Sequence, residues 1–335
     1  IRSRKRRNRI ERPVRAFRAD AVADGAAKDV GFGHRPALDH FEFQQPRFAA
    51  LLAATAWALA ACSSPPPTEP AMWRIADEDS EIWLFGSVHL LPPGVEWDGP
   101  RWQAAFAAAD EFVTETDTSD EAMRAFPALA AQYGSLPAGQ RLSDVLSAED
   151  RGRLVRAAAA AGIDAAALEG QRPWLTALQL SYNYATRVGH RSDLGVEGVL
   201  APRARDAGKR MSFFETPEEQ IRILSDLAPA DEMRFLSVTM QQIEEEPASM
   251  RTLDRAWARG DVATLDRALS QEWDAGGRAV HDAVILRRNR AWADEIEHRL
   301  EGSGRIFIAV GAAHLIGDAS VVDLLRERGF AVEGP

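Results

Sequence analysis

From Met72 onward the apolar and polar positions fall into regular periods. Met72-Trp-Arg-Ile-Ala alternates, Asp77-Glu-Asp-Ser80 is polar and turn-like, and Glu81 to Phe85 is a second apolar run, which predicts a strand hairpin. Trp102 to Ala109 has a helical period, and Glu111-Phe-Val-Thr-Glu115 reads as a strand whose last residue is a carboxylate. Helical signals dominate the long middle of the chain. Ser147-Ala-Glu-Asp150 resembles a capping box ahead of an Ala-rich run, and Trp174 to Arg187 continues in helical period. Gly195 to Ala207 is a further helix and Met211-Ser-Phe-Phe a short strand. Thr216-Pro-Glu-Glu219 is a strong helix start, with an N-cap hydroxyl, proline at N1 and glutamate at N3. Helices are expected through 229–270 and from Val280 to Leu300, a strand from Arg305 to Val310, and a closing helix from Asp318 to Arg328.

Strands that alternate with helices imply an α/β fold, here a central mixed sheet with flanking helices. The uninterrupted helical stretch, about residues 120–208, is expected as an insertion in the middle of the chain, within a domain over 71–335. A length of 335 residues with 46% hydrophobic composition is ample for a buried core.

Charge and the N-terminal stretch alter this picture. The net charge of −10 is unevenly spread: residues 1–47 carry 12 Lys and Arg against 6 Asp and Glu, and the remainder carries 28 against 44. An acidic body argues against nucleic acid as a partner, because phosphate backbones require clustered cations. Arg47, the apolar run Phe48 to Leu59, and Leu59-Ala-Ala-Cys62 before Ser63-Ser-Pro-Pro-Pro form a secretory signal too short to span a bilayer. The segment resembles the lipobox of bacterial lipoproteins, so 47–61 is expected as signal peptide, Cys62 as the lipidation site and 62–70 as linker. Cys62 is the single cysteine and has no intramolecular disulfide to join. Residues 1–46 precede the signal and are expected not to belong to the mature protein. The expected location is the bacterial cell envelope, lipid-anchored on the periplasmic side.

Two copies of one pattern stand at opposite ends of the folded region: an apolar strand, a glycine, and a histidine three residues later. They are Gly86-Ser-Val-His89 and Gly311-Ala-Ala-His314. Ligands of open α/β sheets bind at the carboxyl ends of strands, and four expected strands end in His89, Glu115, Glu215 and His314. Histidine and carboxylate donors suit a divalent metal such as Mn, Co or Zn, with room for an activated water. The glycines would allow a sharp turn or close approach of metal or substrate to the main chain. Taken singly, each histidine has a bland reading as a core or surface residue, Glu115 as a solvated turn residue, and Glu215 as a favourable charge at the following helix N-terminus.

The ordered set Gly86-Ser-Val-His89, Glu115-Thr-Asp117, Arg172-Pro-Trp174, Phe214-Glu-Thr-Pro-Glu-Glu-Gln220, Arg288-Asn289 and Gly311-Ala-Ala-His314 resembles the TraB/GumN/TIKI family over roughly residues 70–334. The resemblance implies a divalent-metal-dependent hydrolase related to the animal TIKI proteases, which cut peptide bonds near the N-terminus of a secreted signalling protein. It implies His89, Glu115 and His314 as the catalytic or metal-binding core, and Arg288 and Asn289 as contacts to substrate or transition state. Arg172, Trp174 and Gln220 are assigned structural roles, and Asp193 and Glu197 are left open.

Three functions follow as expectations. The first is an envelope-anchored metallohydrolase acting on a peptide or protein, in which His89, His314 and a carboxylate hold the metal, a glutamate serves as general base and Arg288 stabilises the oxyanion. Glu115 suits either the ligand or the base role. The second is a non-catalytic lipoprotein that binds a ligand or partner through the helical insertion, whose tryptophans and those of its neighbours, Trp174, Trp257 and Trp273, suit a binding surface. The third is a metal-independent, esterase-like hydrolase in which Glu115 and a histidine activate water directly.

Overall fold

The computed structural model describes residues 69–335 except Glu246. The expected lipidation site Cys62, the signal segment 47–61, the stretch 1–46 and most of the linker lie outside the described residues. Among the described residues, no helix is long and apolar enough to cross a membrane.

The architecture is α/β, as the alternation of periods implied. Six strands, β1 (Met72–Ala76), β2 (Ser80–Ser87), β3 (Glu111–Thr116), β4 (Arg210–Glu215), β5 (Gly304–Gly311) and β6 (Val332–Glu333), form one mixed sheet in the order β4-β3-β5-β2-β1-β6. β1 runs antiparallel to β2 and to β6, whereas β2, β5, β3 and β4 are parallel neighbours. The β1–β2 turn forms because the Asp77 carboxylate accepts from the backbone N–H groups of Asp79 and Ser80, at 3.1 and 2.7 Å. β5 enters the middle of the sheet because Ile306 to Val310 are apolar on both sides and buried on both faces, as a central parallel strand must be.

Helices cover both faces. Phe85, Phe307 and Phe112 share one face and pack with Trp102 and Phe106 of the helix Pro100–Ala108, as in the edge contacts of Phe106 with Phe112 and Phe307 at 5.6 and 5.4 Å. The opposite face presents Phe214 and Glu111 to Trp292 and Arg299 of the helix Arg287–Leu300. Between β3 and β4 the chain from Asp120 to Asp206 forms helices and short helical turns. The helix Pro217–Ser225 opens with a capping box in which the Thr216 hydroxyl accepts from Glu219 N and the Glu219 carboxylate accepts from Thr216 N.

Three details differ from the expected pattern. The two-residue strand β6 was too short to leave a period in the sequence. The last helix runs Val321–Glu327 and begins after Ser320, whose hydroxyl caps the N–H of Asp323 at 3.1 Å, leaving Asp318 and Ala319 in the loop. The long helix near the C-terminus begins at Arg278 and contains a π-helical turn, Asp282–Leu286, before Arg287–Leu300. Such turns mark functional sites more often than chance.

Arg172 is structural. Its guanidinium donates to the carbonyls of Tyr133 and Ser225, at 2.9 and 2.7 Å, and to the buried Glu232 carboxylate, tying three helices together. Removing one partner of a buried pair leaves a charge uncompensated, whereas replacing both does not. Arg172→Ala is therefore expected to lower unfolding free energy by about 3 kcal/mol. Arg172→Ala combined with Glu232→Met should recover more than half of that in urea denaturation. Equal loss in the single and double variants would refute the account.

Candidate active site

The sheet order places the four strand ends in one row. β4, β3, β5 and β2 are consecutive and parallel, so Glu215, Glu115, the second GxxH loop and the first GxxH loop follow one another along a single edge. Ser87 pairs with Gly311, and His89 and His314 lie two and three residues beyond that pair. Residues 225 apart in the chain are thus neighbours through sheet pairing alone.

The centre of this row is a guanidinium. Arg288, with a side chain only 10% exposed, donates from Nε to Glu215 Oε1 at 2.7 Å and from Nη2 to Glu215 Oε2 at 2.9 Å and Glu115 Oε2 at 2.6 Å. Its Nη1 donates to the carbonyl of Val284, inside the π-helical turn, at 3.1 Å, and to His314 Nε2 at 3.0 Å. An arginine has five N–H donors, and here all five are committed. Trp292, one helical turn on, supports the guanidinium from below: its ring centre lies 4.5 Å from Arg288 Cζ, 4.4 Å from the His314 ring and 5.0 Å from Phe214, on which it stacks.

His314 is fixed through its other nitrogen. Asn289 is fully buried; its Nδ2 donates to the carbonyl of Ala319 at 2.9 Å, which orients the amide so that Oδ1 accepts from His314 Nδ1 at 2.7 Å. The imidazole is therefore the Nδ1–H tautomer, with the Nε2 lone pair taken by Arg288. Ala319 adopts φ of 55°, a left-handed conformation costly for a residue with a Cβ, and its carbonyl is held to that duty.

Burial alone would raise the Glu115 carboxyl. The groups facing it, the His314 ring, the Arg288 guanidinium and His89, together with the N–H of Gly311 at 2.7 Å, outweigh burial and hold it down at about 2. Burial pushes His314 down to about 3 against the pull of Glu115, so the ring is neutral at pH 7 and the fixed cation opposite Glu115 is Arg288. Burial also raises Glu215, against the opposing effect of Arg288. Two carboxylates on one arginine are thus driven apart: Glu115 is a permanent anion and Glu215 takes a proton more readily.

His89 belongs to a second group. Its Nδ1 lies 3.2 Å from Glu197 Oε2, and Ser87 Oγ donates to Glu197 Oε1 at 2.5 Å. The ring is 63% exposed, and Nε2 has no protein partner among the described residues. The Glu197 charge outweighs desolvation and raises His89 to about 9, so it is a cation at pH 7. The loop carrying it is stitched to the start of the helix Val196–Asp206: Leu91 and Arg191 exchange backbone hydrogen bonds at 3.2 and 2.9 Å, and Val196 N donates to Val88 O at 3.0 Å. Gly195 permits this approach, since a Cβ there would lie 2.1 Å from the His89 carbonyl oxygen.

The GxxH glycines serve close packing within the protein. A Cβ on Gly311 would sit 3.1 Å from Glu115 Oε1, crowding the carboxylate that accepts from the Gly311 N–H, and a Cβ on Gly86 would meet Ala312 at 3.3 Å. The structure brings Glu115, Glu215, Arg288, Asn289 and His314 into one network. His89 is set at its margin, with Glu197, which the sequence left open, as its partner. Asp193 instead pairs with Arg191 on the surface, at 2.9 and 2.5 Å. Ser87, Gly195 and Trp292 were not foreseen; the spacing of Trp292 four residues after Arg288 is the signal that points to it.

A divalent metal was expected among His89, Glu115, Glu215 and His314. Glu115, Glu215 and His314 do converge, but on Arg288, which takes the His314 Nε2 lone pair and an oxygen of each carboxylate. Among the described residues, no group of three His, Cys, Asp or Glu side chains is arranged to hold a metal ion. The donors as arranged do not fit a metal. Arg288 also has no free N–H with which to contact a substrate, and Asn289 is fully buried, with its Nδ2 and Oδ1 each bonded within the network.

A profile of the TraB/PrgY/gumN family matches residues 71–334, and the chain belongs to that family. The YbaP protein of Escherichia coli K12 is 25% identical over 259 residues, covering 77% of this chain and 93% of the relative. YbaP of Shigella flexneri is 25% identical over 243 residues, covering 72% and 87%. A zebrafish protein named Metalloprotease TIKI2 is 23% identical over 308 residues, covering 75% of this chain and 58% of that protein. No solved structure matches significantly.

Two pH predictions follow. The His89 C–H resonances should titrate near pH 9 in NMR, and Glu197→Gln should return the midpoint toward 6.5; the pair's contribution to stability is present below 6.5 and lost as pH rises through 9. A midpoint near 6.5 in the parent protein would sink this assignment. His314 and Glu115 act in the opposite direction. Both bind protons more readily when unfolded, near 6.5 and 4.5, than when folded, so stability falls on acidification from 6.5 toward 2. The urea midpoint should decline over that window, and His314→Gln should flatten the portion above 4.5; a variant with an unchanged acid slope would contradict it.

Proposed function

We propose that this member of the TraB/PrgY/gumN family is an envelope-anchored hydrolase acting on peptide bonds at the row of strand ends. The observation that carries the reading is the pair of differently tuned groups beside one organised core: Glu215, raised by burial, and His89, a cation with its Nε2 open. Glu215 lines a cleft of about 730 Å³ with Arg288 and Trp292, and His89 lines a separate pocket of about 390 Å³. The two groups stand at the ends of strands about 14 Å apart in the order β4-β3-β5-β2, a span that an extended peptide of several residues covers when laid across the strand ends.

The chemistry uses the chain's own residues. Glu215 accepts a proton from water, whose oxygen adds to the scissile carbonyl carbon. Protonated Glu215 then gives that proton to the departing amine as the C–N bond breaks, while cationic His89, oriented by Glu197, binds a backbone carbonyl of the same peptide through its Nε2 N–H. Arg288 keeps Glu115, Glu215 and His314 in position and does not touch substrate. This is the direct activation of water by a glutamate, with Glu215 in the role the sequence assigned to Glu115 and His89 holding the peptide.

A metal-dependent peptidase is the second reading, supported by the name of the zebrafish relative. The side chains suited to a divalent ion, Glu115, Glu215 and His314, would become available to it only if Arg288 withdrew.

The test is cleavage of a synthetic peptide library by the purified mature protein, followed by mass spectrometry, with metal content measured alongside. Glu215→Gln is expected to lower kcat/KM by about 10²- to 10⁴-fold, and His89→Ala to raise KM by about ten-fold, each with the fold retained. Full activity in both variants overturns the mechanism. Chelator-sensitive turnover with stoichiometric metal in the parent favours the second reading, and absence of any cleavage removes the hydrolase. Intact mass decides the anchor: the mature chain should begin at a lipidated Cys62, and a start upstream of it removes the envelope assignment.

A further inference from the structure

Beside the first GxxH loop lies a pocket of about 390 Å³ that the chemistry above leaves unused except at its mouth. It is closed on one side by the two GxxH loops, through Ser87, His89 and Gly311, and on the other by the helices Pro247–Ala258 and Val262–Gly276. Its walls are Val88, Leu90, Leu253, Trp257, Leu265 and Leu269. Trp257 is fixed in this wall by the hydrogen bond from its Nε1 to the carbonyl of Gly86 at 2.7 Å, so the first GxxH strand and the pocket wall are set by one contact.

Two polar groups of the wall pair with each other. His190 and Asp254, with side chains 4% and 12% exposed, pair through Nε2 and Oδ2 at 3.0 Å. His190 Nδ1 is enclosed and presents no surface to the pocket. Glu272 stands at the exposed rim. What a guest meets inside is therefore apolar carbon, and an uncompensated charge placed there would lose its hydration.

We propose that this pocket is the specificity pocket of the site and takes one large apolar side chain, leucine or phenylalanine in kind, of the peptide whose bond lies at the strand ends. The assignment rests on the hydrolase reading for the identity of the ligand, and on the pocket for its chemistry. The pocket is continuous with the site because His89, Ser87 and Gly311 border both. A side chain inserted between Val88 and Leu269 therefore holds the adjoining backbone against His89, and the energy of apolar burial positions the scissile bond. Ala268, at the wall, is the residue whose enlargement fills the space.

The experiment measures binding and cleavage in the same samples, using acetylated, amidated pentapeptides Gly-Gly-Xaa-Gly-Gly with Xaa as Phe, Leu, Ala, Glu or Lys. Binding is read by saturation-transfer NMR on the mature protein. Phe and Leu peptides should bind about ten-fold or more tighter than Ala, Glu or Lys peptides. Ala268→Trp should reduce Phe and Leu to the Ala level, with circular dichroism confirming the fold. If that variant fails to fold, Leu253→Ala decides, since a larger pocket should shift the preference from Leu toward Phe. Equal binding of all five peptides, a preference for Lys or Glu, no binding, or an unaltered preference in the folded variants overturns the proposal. Selective binding without cleavage would remove the hydrolase and retain the pocket, whereas cleavage indifferent to Xaa would do the reverse.

Discussion

A buried guanidinium tolerates no idle N–H, and the site is arranged around satisfying the five of Arg288. Each acceptor comes from a different part of the fold: Glu115 from the end of β3, Glu215 from the end of β4, His314 from the loop after β5, and the Val284 carbonyl from the π-helical turn. The strand order, the parallel register and the irregular helix must all be right for these to meet. The interaction therefore reports on the fold as a whole and fixes where every other group in the row can stand. Asn289 and Trp292 extend the same constraint along the helix, one fixing the tautomer of His314 and the other supporting the guanidinium and imidazole together.

Charge within this arrangement is partitioned. Arg288 neutralises one of two carboxylates, and the Gly311 N–H and the nearby cations make Glu115 the one that stays ionised. Glu215, higher in proton affinity and bordering an open cleft, is left as the group able to exchange a proton with a water. His89 is decoupled from the core by having its own counter-ion. Glu197 holds it cationic, while Ser87 holds Glu197, so the charge of His89 is supported by the helix Val196–Asp206 independently of the Arg288 network.

The fold class was legible because its signals are local or short in period. Continuous apolar runs mark β2 and β5, polar turn residues mark the hairpin, and Thr216 to Glu219 spells out a helix start. The candidate site was legible as residue types at strand ends, because strand ends are where α/β sheets expose function. What the residues do to one another was less so. Glu197 was left undecided because its partner His89 lies 108 positions away and across the sheet edge. Arg288 was read as a contact to the oxyanion because one charged residue on a helix does not reveal how many acceptors will surround it. The metal expectation rests on the same ambiguity: carboxylates and imidazole at convergent strand ends look alike whether a metal ion or a guanidinium fills the space between them.

The two GxxH motifs carry this argument furthest. They end adjacent parallel strands in matching register, and both glycines serve close packing, yet their histidines differ in every property that matters for proton transfer. His314 is buried, neutral and bonded at both nitrogens, so it can only hold its neighbours in place. His89 is exposed, cationic and ion-paired at one nitrogen, so its Nε2 N–H is open to a substrate. The difference comes from which partner each loop meets: an arginine amide network in one case and a carboxylate in the other. A repeated motif thus fixes the position of an imidazole, and the surrounding charges decide whether that imidazole is a strut or an open cationic contact.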